Sequence, residues 1–91
     1  MNKLIWTSKF KKSAERFIRQ NPQLIELFKL TIKEIESDPF RSSLKTHKLK
    51  GQLSSCFASS INYNYRIVFK ISDSDTNCIE LLNIGTHDEV Y

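Results

Sequence analysis

Tyr65-Arg66-Ile67-Val68-Phe69-Lys70-Ile71 alternates without a break. Tyr65, Ile67, Phe69 and Ile71 fall on one side; Arg66, Val68 and Lys70 fall on the other. A period of two, kept over the whole run, is a β-strand with one face against a core. The polar turn Asn62-Tyr63-Asn64 precedes it, and a polar run from Ser72 to Asn77 follows. Apolar runs stand beyond both turns. Leu53 to Ile61 alternates weakly, with Phe57 and Ile61 on one side and Ala58 and Ser60 on the other. Cys78 to Ile84 is the most apolar run and is expected at the centre of a sheet. Strands joined by such short turns form an antiparallel meander.

Working back toward the N-terminus, Gly51 supplies a turn, and Leu44 to Lys50 leads into the sheet. Leu4-Ile5-Trp6 reads as a short edge strand. Thr7 or Ser8 then caps a helix. Phe10, Ala14, Phe17 and Ile18 recur at helical spacing and form its apolar face. Lys9, Lys11, Lys12, Arg16 and Arg19 occupy the rest, as a solvated face or a partner surface. Asn21-Pro22 restarts the helix, with Asn21 as the cap and Pro22 in the first position. Leu24, Ile25, Leu27, Phe28, Ile32 and Ile35 form the second apolar stripe. That helix stops before Pro39, because the residue preceding proline avoids helical angles. The expected fold is α+β: an N-terminal helical hairpin packed on one face of a small, mostly antiparallel four-stranded sheet, in one domain spanning residues 1–91. The uncovered face then carries Ala58, Ser60, Arg66 and Lys70, and the small residues beside Arg66 leave room for a ligand.

No apolar run is long enough to span a bilayer. No signal-peptide h-region follows Met1-Asn2-Lys3-Leu4-Ile5-Trp6, so cytoplasm is the expected location. Cys56 and Cys78 lack metal-ligand spacing and read as small buried thiols. The formal net charge is +4, and no acid occurs between Asp38 and Asp73. That gap holds Arg41, Lys45, Lys48, Lys50, Arg66 and Lys70, a footprint for a polyanion, either nucleic acid or an acidic protein. The alternative is a set of solvated surface cations.

The chain has no glycine-rich phosphate loop, no zinc spacing and no cluster of carboxylates for magnesium. Asp88 and Glu89 are adjacent and on a strand would point to opposite sides. Any chemistry is therefore expected to need neither metal nor cofactor. Two histidines, an arginine, lysines and a tyrosine suffice for cleavage of RNA through its own 2′-hydroxyl. Histidine moves protons near neutral pH. Arginine holds a phosphate with a planar, always-charged fork. Tyrosine stacks on an unpaired base.

Leu44 to Gly51, the Tyr65–Lys70 strand and the closing Gly85-Thr86-His87-Asp88-Glu89-Val90-Tyr91 resemble the RelE/ParE toxin superfamily, most of all its YafQ-like branch. The resemblance covers nearly the whole chain. It implies a toxin of a type II toxin–antitoxin system, a ribosome-dependent endoribonuclease acting on mRNA. It also implies a cognate acidic antitoxin as partner, in a hetero-oligomer. By position, His47, Arg66, His87 and Tyr91 match catalytic residues. Lys45, Lys48, Lys50, Arg41 and Lys70 are expected to hold RNA. Ala58, Ser60 and Asn64 depart from the pattern, which has charged or imidazole side chains there, and leave His47 as the remaining imidazole for the general base. Within the superfamily the alternatives are a ParE-like gyrase inhibitor, which cleaves nothing, and a chain that keeps the fold and binds only an antitoxin.

Overall fold

In the computed structural model, which describes residues 2–51 and 55–90, Thr7 joins the first strand to the first helix. Its hydroxyl oxygen accepts from the Phe10 N–H at 3.2 Å, and the same hydroxyl donates to the Leu81 carbonyl at 2.7 Å. One side chain thus starts α1 (Ser8–Gln20) and ties it to the sheet. Strand β1 (Lys3–Trp6) ends just before it. Asn21, expected to cap the second helix, closes the first one instead. Its backbone N–H and its Nδ2 both donate to the Phe17 carbonyl, at 2.8 and 3.0 Å. A single 3-10 turn, Pro22–Leu24, then leads into α2 (Ile25–Ser37). Asp38 is extended, so the helix stops ahead of Pro39 as the sequence indicates.

The remaining strands are β2 (His47–Lys48), β3 (Cys56–Ser60), β4 (Tyr65–Ile71) and β5 (Cys78–Thr86), followed by the short helix α3 (His87–Val90). The sheet order is β1-β5-β4-β3-β2. All neighbours are antiparallel except β1, which runs parallel to β5. The α+β class and the helical hairpin on a mostly antiparallel sheet are as expected. The sheet has a fifth strand because His47 and Lys48, read as a lead-in, pair with Ala58 and Phe57. Leu53, the expected start of the strand before the Asn62 turn, lies outside the described residues, and that strand begins at Cys56. β5 is interior, but the middle position belongs to β4, which gathers hydrogen bonds from β3 and β5.

Burial follows the alternation. Ile67, Phe69, Ile79, Leu81 and Ile84 pack with Phe10, Ala14 and Phe17 of α1 and Phe28 and Ile35 of α2. Rings interlock across this layer: Phe17 meets Tyr65 edge-on at 4.9 Å, and Phe57 stacks on Phe69 at 5.7 Å. The opposite face holds a second, smaller cluster of Leu49, Cys56, Ala58, Val68 and Val90, with Leu82 against it. Here the expectation of an open floor at Ala58 is corrected, since Ala58 is 0% exposed. Leu49 and Val90 cover the middle of that face, where Ala58 and Val68 would otherwise stand in water. A bulge accompanies this cluster: β4 advances one residue from Val68 to Phe69 while β5 moves two, between Asn83 and Leu81. Cys56 and Cys78 are free, buried thiols. Among the described residues, no helix is long and apolar enough to cross a membrane.

Candidate functional site

With the middle of the sheet face covered, what stays open is its rim at the β3–β4 turn. Asn62 shapes that turn: its Oδ1 accepts from the Asn64 N–H at 3.0 Å and the Tyr65 N–H at 2.9 Å. Tyr63, at the apex, is 92% exposed. Arg66 follows on the polar side of β4. Its Nη1 lies 2.8, 3.0 and 3.1 Å from the carbonyl oxygens of Asn62, Tyr63 and Tyr65, to which it donates. One corner of the guanidinium is pinned by the turn. The Nη2 and Nε edge has no partner among the described residues and carries the other three N–H groups.

Opposite Arg66 in the β4–β5 register stands Gly85, and in the β3–β4 register Ser60. Paired residues face the same side, so both neighbours of Arg66 on its face are small. The small-residue floor expected at Ala58 and Ser60 is formed instead by Ser60 and Gly85, with Ala58 closed over.

His87 comes two residues after Gly85, where β5 gives way to α3. Val90, buried in the second cluster, anchors that four-residue helix. The result is a groove of about 560 Å³ lined by Tyr63, Asn64, Tyr65, Arg66, Thr86, His87 and Asp88. The His87 imidazole is two-thirds exposed, with Nδ1 3.6 Å from Asp88 Oδ1. Asp88 is itself fully exposed, so the pair is screened and strongest when the imidazole is protonated. A fixed cation edge, a proton-exchanging ring and an exposed aromatic ring thus meet in one open groove.

The other expected site residues lie elsewhere. His47 sits on the edge strand β2, level with Ala58, while Arg66 is level with Ser60. Two strand spacings across and two residues along put their backbones roughly 12 Å apart. His47 Nδ1 is 3.4 Å from the Lys45 carbonyl oxygen. The structure does not bring His47 into the groove, because its two-residue strand docks on the outer edge of β3, away from β4 and β5. Arg41, Lys45, Lys48 and Lys50 are exposed along the same edge and the connection before it. Lys70 is four residues down β4 from Arg66 and pairs with Asp73 at 3.5 Å. Tyr91 lies outside the described residues. Tyr63, Tyr65, Thr86 and Asp88 were missed as groove residues, and Asn64 was singled out only as a departure from the family pattern. An aromatic residue between two asparagines was the available signal for Tyr63, since a ring at a turn apex has no core to enter.

Among the described residues, no three His, Cys, Asp or Glu side chains gather as a metal site would need.

Comparison with known proteins gives the same picture. Over 59 residues the chain is 36% identical to the toxin YoeB of Synechocystis, covering 65% of this chain and 69% of that one. Its fold superposes on the crystal structure of YafQ from E. coli with a TM-score of 0.80 at 12% identity, covering 100% and 99% of the two chains. The toxin in the E. coli DinJ–YafQ complex matches with a TM-score of 0.77 at 13% identity, covering 100% and 99%. At those identities the superpositions speak for the fold. The model of the YafQ family, a bacterial toxin of type II toxin–antitoxin systems, matches residues 2–91. With hairpin, sheet and closing helix all in place, the chain belongs to the YafQ family of type II toxins.

Proposed function

We propose that this toxin is a ribosome-dependent endoribonuclease that cleaves mRNA without a metal ion and thereby stops translation in the cytoplasm. The observation that carries the reading is the groove that joins Arg66, His87 and Tyr63. An unpaired nucleotide enters it with its base against the Tyr63 ring. The free edge of Arg66 takes the scissile phosphate, and the carbonyls behind Nη1 hold the fork in place. The ribose 2′-hydroxyl gives up its proton to water as its oxygen attacks phosphorus, leaving a 2′,3′-cyclic phosphate on one fragment. The bond to the 5′-oxygen breaks, and His87 gives that oxygen its proton. Charge accumulating on the phosphate in the transition state is met by Arg66, which needs little reorganisation to do so. His47, held away on β2, joins Arg41, Lys45, Lys48 and Lys50 as a charged edge for RNA or for the cognate acidic antitoxin.

The test is induced expression in a bacterium. Prompt loss of translation with cut mRNA supports the nuclease. A DNA-damage response with intact mRNA indicates a gyrase inhibitor, and the absence of any toxicity in a folded, antitoxin-binding protein indicates a chain that only binds.

A further inference from the structure

The three carbonyl oxygens that receive Arg66 Nη1 all belong to one short turn, Asn62 to Tyr65. What aims those carbonyls therefore aims Arg66. The Asn62 side chain does much of that work. Its Oδ1 accepts from the Asn64 N–H at 3.0 Å. That N–H and the Tyr63 carbonyl share one planar trans peptide unit, in which they point opposite ways. Holding the N–H inside the turn thus turns the Tyr63 carbonyl outward, to Arg66 Nη1 at 3.0 Å. The same Oδ1 accepts from the Tyr65 N–H at 2.9 Å. The Tyr65 carbonyl accepts from the Ile61 N–H at 2.9 Å, so Tyr65 is held at both its N–H and its carbonyl. The remaining carbonyl on Nη1, at 2.8 Å, is that of Asn62 itself.

Asn62 is not among the residues that line the groove of Arg66 and His87, and it is half-buried. Its influence there runs through the backbone of the turn. An arginine on a strand has several rotatable bonds, and an unanchored guanidinium spreads over many positions. Pinning one corner leaves the opposite edge facing the groove in a fixed direction. The Tyr63 ring is a separate matter. At 92% exposure it packs on nothing that Asn62 controls. The two contacts also act at different stages. Arg66 meets charge that grows in the transition state, whereas a stacked base is held equally before and during reaction.

We propose that Asn62 is a positioning residue for RNA cleavage: its side-chain carbonyl folds the β3–β4 turn into a cluster of carbonyls that aims the Arg66 guanidinium at the scissile phosphate. This rests on the nuclease reading above and adds the group that preorganises its phosphate contact. Preorganisation of this kind matters because a misplaced charge partner loses most of its effect on the transition state.

The experiment is a double-mutant cycle. Single-turnover cleavage of a defined mRNA on ribosomes is measured for wild type, Asn62→Ala, Asn62→Ser, Arg66→Ala and Asn62→Ala/Arg66→Ala, with circular dichroism checking each fold. Asn62→Ala is expected to lower the rate at saturating substrate by at least about tenfold. The half-saturating concentration should move by less than about twofold, as for a contact made in the transition state. Asn62→Ser, whose hydroxyl accepts from the same turn more weakly, should fall between wild type and Asn62→Ala. With Arg66 already alanine, removing Asn62 should cost less than about twofold, because both act through one contact. Equal loss with and without Arg66 overturns the proposal and leaves Asn62 a purely structural role. So does a change confined to half-saturation, which assigns Asn62 to the Tyr63 ring, or an Asn62→Ser as slow as Asn62→Ala. If Asn62→Ala does not fold, Asn62→Ser is carried through the same cycle and read the same way. A second measurement needs no RNA. In NMR of the whole toxin, restrained rotation should resolve the Arg66 side-chain N–H signals in wild type, and Asn62→Ala should average them. Arg66 signals that are the same in both proteins overturn the proposal. Wild type that shows the restraint, lost in Asn62→Ala, but cuts no mRNA overturns the proposed function and not the positioning.

Discussion

Arg66 has two tasks that a substitution separates. It holds the Asn62–Tyr65 turn through Nη1 and presents its other edge to the groove. Arg66→Ala removes both. Unfolding in urea should show a loss of about 1 kcal/mol, because a half-exposed charged donor to carbonyls contributes a modest net amount. Cleavage should fall by about a hundredfold or more, the usual scale for losing a charge partner of the transition state. A variant that cleaves at the wild-type rate would take Arg66 out of the mechanism. Tyr63 has no comparable structural task at 92% exposure. Tyr63→Ala should leave stability within about 0.5 kcal/mol. RNA affinity should drop by roughly 1–3 kcal/mol if a base stacks there, read by binding to a single-stranded oligonucleotide.

At the scale of elements, the molecule depends on two small junctions. Thr7 caps α1 and bonds to Leu81. Thr7→Ala should cost about 1–2 kcal/mol in urea unfolding, and a cost near zero would mean that neither bond contributes. Val90 holds α3 against Ala58 and Val68. Val90→Ala should cost about 1 kcal/mol and, by loosening α3, lower cleavage through misplacement of His87. The β4 strand and both helices were legible because their periods, two and 3.6, are written in residues that all point to one core. The two-residue strand at His47 was not, since two residues define no period. Asn21 was legible as a capping residue but not as which cap, because the choice rests on whether Pro22 opens an α-turn or a 3-10 turn. At the site, Arg66 could be placed on the polar face from alternation alone. That Leu49 and Val90 would cover Ala58 could not, because it depends on α3 folding back over the sheet. The same packing shifts the groove to the rim and separates His47 from it.

For the whole molecule, the charge is unevenly spread: cations concentrate on α1, along the β2 edge and, as Arg66, at the β4–β5 rim groove, while Lys3, Lys29, Lys33 and Lys70 lie outside those places. A cognate acidic antitoxin that covers the edge from Arg41 to Lys50 should bind less tightly as salt rises, through screening of exposed pairs. Affinity that stays constant across a salt series would place the contact on an apolar surface, such as the one around Trp6 and Leu30. The central claim remains that the groove at the β4–β5 rim cuts RNA and that His87 is its proton donor. Ribosome-dependent mRNA cleavage by folded His87→Gln, measured beside wild type, tests it most directly. Glutamine keeps the side chain's reach and some hydrogen bonding but transfers no proton near neutral pH. Cleavage should fall about a hundredfold to ten-thousandfold while the fold and antitoxin binding persist. Equal cleavage by the two proteins would contradict the account.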